Sequence, residues 1–286
     1  MELVNRKELK RQARAAMRTA RPPFWMAALV FLLLTSGVSS LINLFVPADN
    51  TAGLFASILY MMYSMVINFG MVLWSLWVWR RLDPDLWALT QGFSVTWKVI
   101  GLYAGLYLRV LAWTMALSLA AGVFLAPLAM MLGTVGILLS AALVGLAAWI
   151  ISMRYAFAPY LLADHPEGGS APAIRNSTLL MRSWTRSYIK LELSFLGWQL
   201  LNALLPALVL LLLMNTSGFS LDLTTMSGLQ SAYSTLMTSP AVGLVLTLVP
   251  LPINLFLIPY QNVARAAFYE KRLEFQRSAA ANMPPL

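Results

Sequence analysis

Residues 6–46 read RKELKRQARAAMRTARPPFWMAALVFLLLTSGVSSLINLFV. Seven cations crowd the first sixteen of these positions, and none falls among the twenty-five that follow. A spanning helix needs roughly 20 mostly apolar residues, so Phe24–Val46 is long enough to cross a bilayer. It exceeds the core of a signal peptide and is read as a retained span. The pattern recurs outward along the chain. Gly53–Trp79, Ile100–Leu125, Val135–Tyr160, Leu191–Met214 and Val242–Tyr260 bring the apolar segments to six. The expected fold class is all-α: a polytopic membrane helix bundle, one integral membrane domain over residues 1–286.

The cations orient it. Nineteen of the twenty Lys and Arg residues fall in the amino-terminal segment, the second-to-third connection, the borders of the fourth-to-fifth connection and the tail. In a six-span layout all four lie on one side. The opposite connections carry only Asp49 and Asp222. Cations are retained in the cytoplasm, so the expected location is the cytoplasmic membrane, multi-pass, with both termini inside. The twentieth cation, Arg109, lies within the third span.

Composition agrees with this reading. The chain is 59% hydrophobic and 11% charged, with mean hydropathy +0.71, whereas soluble domains are about 45–50% apolar and about 25% charged. Lipid must solvate much of the surface. The net charge of +9 belongs to a membrane face, where each cation gains about 1 kcal/mol from anionic headgroups, and no nucleic-acid motif accompanies it. The absence of cysteine removes thiol nucleophiles and Cys-based metal sites, and the lone His165 removes His-pair sites. No cofactor or metal is expected. Without a phosphate loop, nucleophile elbow or HExxH motif, the sequence leans away from an enzyme.

Three stretches before odd-numbered spans have amphipathic spacing and are expected as cytoplasmic interfacial helices. They cover about residues 3–20 (Leu9, Ala13, Ala16, Met17, Ala20), 84–97 (Leu86, Leu89, Phe93, Trp97) and 171–189 (Ile174, Met181, Trp184, Tyr188). The units so formed suggest a threefold repeat of helix plus hairpin. The last outer connection, Asn215–Pro240, carries enough apolar residues for a further interfacial piece or a cavity cap. Pro206, Pro250 and Pro252 are expected to kink their spans, and Gly101 with Gly105 offers a helix-contact face.

A cation inside an apolar span is costly. Arg109 therefore heads a candidate polar pocket with Arg154, Glu192 and Asn254, in which Glu192 would counter Arg154 or Arg109. The competing reading is that these side chains reach the interface or tie helices together. Arg11, Arg14, Arg18, Arg182 and Arg186 are the candidate lipid-headgroup contacts.

Several motifs carry a resemblance: Tyr155-Ala156-Phe157-Ala158-Pro159-Tyr160, continuing to Asp164-His165-Pro166-Glu167; Ala173-Ile174 with Ser177 and Leu180-Met181; Leu193-Ser194-Phe195-Leu196-Gly197-Trp198; and Pro259-Tyr260 followed by Phe268-Tyr269-Glu270. In this order they resemble the bacterial integral-membrane family catalogued as domain of unknown function 975. The chain departs from that pattern at Met181-Arg182-Ser183-Trp184 and at Ala126-Pro127-Leu128. The resemblance implies six spans and no established activity. It also implies a distant similarity to membrane domains that accompany glycerophosphodiester phosphodiesterases, a pointer toward lipid.

The function expected is non-enzymatic: engagement of anionic membrane lipid, or of a protein partner or second copy, in membrane homeostasis. The alternative is a small transporter or channel with a polar pocket in the cytoplasmic leaflet. An intramembrane enzyme acting on lipid is the third reading.

Overall fold

The computed structural model describes residues 5–46, 50–216 and 248–281, with residues 242, 245 and 246. Every described element is helical: α1 (Arg6–Thr19), α2 (Phe24–Leu32), a π-turn (Leu33–Gly37), α3 (Val38–Phe45) and α4 (Thr51–Trp79). Two 3-10 turns (Leu86–Leu89, Gln91–Val95) lead into α5 (Thr96–Phe124), α6 (Ala126–Leu132) and α7 (Thr134–Ser152). A 3-10 turn (Met153–Tyr155), α8 (Ala158–Asp164), α9 (Ser170–Met181), α10 (Thr185–Leu193), α11 (Leu196–Thr216) and α12 (Leu251–Ala281) follow.

Among the described residues, five helical stretches have the length and apolarity to cross a membrane: Phe24–Phe45, Thr51–Trp79, Leu86–Phe124, Val135–Asp164 and Thr185–Leu212. They contain most of the first five expected spans, and the chain is a multi-pass membrane protein. Of the expected sixth span, several positions between 241 and 247 lie outside the described residues, and its end is the opening of α12. Asp49, Asp222 and nearly all of the 215–240 connection also lie outside them.

Burial divides the bundle into two regions. One holds the aromatic core: Trp74, Phe157, Phe195, Phe268 and Tyr269 are buried where α1, α4, α8, α10 and α12 converge. In the other, the first half of α4 and most of α5, α6, α7 and α11 leave large apolar side chains open, such as Leu59, Leu119, Phe124 and Leu138. A water-soluble chain would rarely leave apolar surface on this scale. Lipid is the solvent that suits it.

The packed region rests on close backbone approach. A Cβ on Gly70 of α4 would lie 1.9 Å from the Leu89 carbonyl oxygen, and one on Gly92 would lie 2.7 Å from the Val66 carbonyl oxygen. Only glycine lets the 86–95 segment lie so near the helix.

The three amphipathic stretches take three different forms. The first is α1, capped by the Asn5 side chain, which accepts from the Lys7 and Glu8 amides. Leu9, Ala13 and Met17 are buried against protein rather than facing lipid. The second is not one helix but the two 3-10 turns. Its expected stripe is broken: Leu89 is 0% exposed, whereas Phe93 is 46% and Trp97 78% exposed. At three residues per turn, Leu86 and Leu89 eclipse while later side chains rotate away. The third is interrupted by a tight turn in which the Arg182 and Trp184 amides bond to Leu179 and Met181. It becomes α9 and α10, yet all four residues stay buried, Met181, Trp184 and Tyr188 in the aromatic core and Ile174 in a second cluster with Val99 and Leu102. Pro250 and Pro252 stand where the expected sixth span bends. Residues 242, 245, 246 and 248 are helical, Val249 and Pro250 form a bend, and helix resumes at Leu251 as α12, so the break falls within the expected 242–260 span, at the prolines.

Candidate functional site

The four basic segments, far apart in sequence, meet in the packed region. From α1, the Lys10 ammonium donates to the Ser194 hydroxyl at 3.1 Å and carbonyl at 3.2 Å, and sits 4.4 Å over the Phe195 ring. Burial lowers its pKa, and the nearby Arg14 and Arg6 add to the effect. From α12, Arg272 donates to the Leu180 carbonyl at 3.1 Å and lies over the Trp184 ring. The second-to-third connection enters through Arg80, at the end of α4.

Arg80 organises one ionic centre. Its guanidinium donates to both Asp164 oxygens, at 2.7 and 3.0 Å, and to Glu270 at 2.6 Å. The Tyr269 hydroxyl donates to Asp164 at 2.8 Å, and its ring stacks on Tyr160. Burial by itself would lower the Arg80 pKa, but Asp164 and Glu270 outweigh it and hold the guanidinium charged. Burial, then the Asp164 charge, pushes the Tyr269 phenol upward and keeps it protonated. The centre joins α4, α8 and α12 at one end of the bundle.

A second centre is a bidentate pair. Arg265 of α12 donates through Nε and Nη2 to the two oxygens of Glu192 in α10, at 2.7 and 2.9 Å. The paired fork fixes direction as well as charge. Two cavities flank it. One, of about 340 Å³, is lined by Asn68, Tyr103, Tyr160 and Asn262; the other, of about 520 Å³, by Trp149, Ser152, Glu192 and Gln199. Both are bordered by Tyr188 and Arg265.

The residues expected to form one pocket are dispersed. Glu192 counters neither Arg109 nor Arg154, because Arg265 occupies both its oxygens. Asn254 accepts from the Asn202 amide at 3.0 Å, joining α12 to α11. The Arg154 side chain is exposed, while its carbonyl accepts from Ser177, whose oxygen also accepts the Phe157 amide. Arg109 donates to the Gly105 carbonyl at 2.9 Å and borders a groove of about 470 Å³ between α5 and α9. Arg11, Arg14, Arg18, Arg182 and Arg186 are all exposed.

Sequence reasoning missed both the Arg80, Asp164 and Glu270 centre and the pairing of Arg265 with Glu192. Arg265 lies beyond the sixth apolar segment and read as an ordinary tail cation. The signal that could have found it is Glu192, an acid inside an apolar segment that requires a cation nearby. No group of three or more His, Cys, Asp or Glu among the described residues could hold a metal.

A family model described as Protein of unknown function (DUF975) matches residues 1–274. No curated protein and no solved structure matches the chain.

Proposed function

The chain belongs to the DUF975 family of proteins of unknown function, and from its geometry we propose that it is a six-span protein whose basic, packed end engages anionic lipid on the cytoplasmic face of the cell membrane. α1 and the tail of α12 lie in the cytoplasm. The role is non-enzymatic, in membrane homeostasis, alone or with a protein partner.

One observation carries the reading: four basic segments are packed together while Arg11, Arg14, Arg18, Arg182 and Arg186 remain exposed. The apolar face of α1 is spent on protein contacts, so its cationic face is the one left outward. Contact between α1 and α12, where Lys10 and Arg14 lie over the Tyr260 ring, supports an even number of crossings, with the sixth ending in the opening of α12. At about 1 kcal/mol per cation near an anionic surface, five arginines make a strong, salt-sensitive attraction.

The test is thermal stability in nanodiscs of increasing phosphatidylglycerol content. Stability is expected to rise with anionic lipid, to weaken at high salt, and to lose this dependence when the five arginines become Gln. A wild-type Tm indifferent to lipid charge overturns the reading.

A transporter is the second reading, favoured by the two cavities on either side of Arg265 and Glu192. Proteoliposomes that pass no candidate anionic or zwitterionic solute, with or without Glu192→Gln, would retire it.

A further inference from the structure

We infer that the groove between α5 and α9, lined by Arg109, Arg175 and Tyr155, is a binding site for the phosphate of one anionic glycerophospholipid. The inference rests on the lipid-engaging reading but names a separate set of residues, so the two can fail independently.

Charge is the first argument. Arg109 lies well inside the third apolar span, whereas Arg154 sits near the end of the fourth, and a cation so placed needs a countercharge. Among the described residues it has no acidic partner; its hydrogen bond goes to the Gly105 carbonyl. Glu192, the acid that the sequence offered, is held through both oxygens by Arg265. Asp164 and Glu270 are committed to Arg80. Arg175, on the opposite wall, also lacks an acid among the described residues. The groove thus gathers two guanidinium groups that no acid among the described residues balances.

Shape is the second argument. Arg109 folds back one turn toward the start of α5, and Gly105 gives it room: a Cβ there would lie 3.1 Å from Nη1 and 3.1 Å from Ile174 of α9. The guanidinium is thereby turned toward α9 and toward the basic end. Tyr155 contributes a hydroxyl with no partner among the described residues. Two forks and a phenol are donors suited to phosphate oxygens. Thr178, also in the wall, spends its hydrogen on the Arg175 carbonyl and leaves only an acceptor.

Depth is the third argument, and it selects a lipid over a free anion. α5 is buried at Val99 and Leu102 but open at Leu108 and Leu111, so Arg109 lies where the packed region meets the lipid-facing one. Headgroup phosphates belong at that level. Leu108 of α5 and Leu179 of α9, both largely exposed, give the two helices apolar surface for acyl chains outside the groove. A single phosphate against two guanidinium groups favours a lipid of net negative charge.

The experiment uses the delipidated full chain in detergent, titrated with phosphatidylglycerol and followed by native mass spectrometry. Wild type is expected to retain one lipid preferentially. Losing a charge-assisted contact to the phosphate should weaken this binding about tenfold or more in Arg109→Gln and in Arg175→Gln. Arg175 lies on an exposed face, so its variant keeps the test decisive if the Arg109 variant fails to fold. The triple variant R11Q/R14Q/R18Q is expected to retain the bound lipid. Excess inorganic phosphate is expected not to displace it. The inference is overturned if the folded Arg175→Gln protein binds as wild type does. Equal displacement by inorganic phosphate also overturns it, since the site would then take a free anion.

Discussion

The two halves of α4 are one continuous helix in two solvents. From Thr51 to Met65 its large side chains are mostly open, with Leu59 66% exposed; from Val66 to Trp79 they are mostly buried, with Trp74 at 0%. Both halves are apolar, so hydropathy does not separate them. The difference lies in what surrounds each. Lipid tails are as apolar as leucine, so the first half gains little by packing on protein. The second half carries Gly70, which admits another backbone, and ends at Arg80, which joins two acids. Small residues and paired charges, rather than apolarity, mark where this membrane protein builds its core.

That contrast can be broken by substitution. The largest effect is expected from Gly70→Val, whose side chain would occupy the place of the Leu89 carbonyl. Overpacking of this kind costs about 3 kcal/mol or more, and size-exclusion chromatography should show no monodisperse protein. Glu192→Ala comes next. It leaves the half-buried Arg265 without its acid, a loss of up to about 3 kcal/mol, read as a drop in Tm. A double variant with Arg265→Ala should recover part of that loss.

The smaller effects sharpen the comparison. Leu76→Ala, in the packed half of α4, should cost about 2 kcal/mol by opening a cavity. Leu59→Ala, in the lipid-facing half, should change stability by under about 0.5 kcal/mol, as surface changes do. Equal losses at these two positions would erase the distinction between the halves.

The spans were legible because they depend on local composition. The segment expected from residue 53 to 79 lies within α4, and the one expected from 100 to 125 lies within α5 except for its last residue. The 86–95 turns were not legible, since their winding is imposed by Gly70 on another element. Nor was the partner of Glu192, which stands 73 residues away among several cations of equal apparent claim. Arg109 was legible as an anomaly because a charge in an apolar run stands out without a structure. Its lack of an acid among the described residues was not, because that requires knowing which acids are already engaged.

The chain lacks cysteine, so a single introduced thiol reports on one place only. Arg186→Cys, probed with a membrane-impermeant maleimide, tests most directly whether the packed basic end lies inside the cell. The account predicts no labelling in intact cells and full labelling once the membrane is permeabilised. Labelling of intact cells would contradict it.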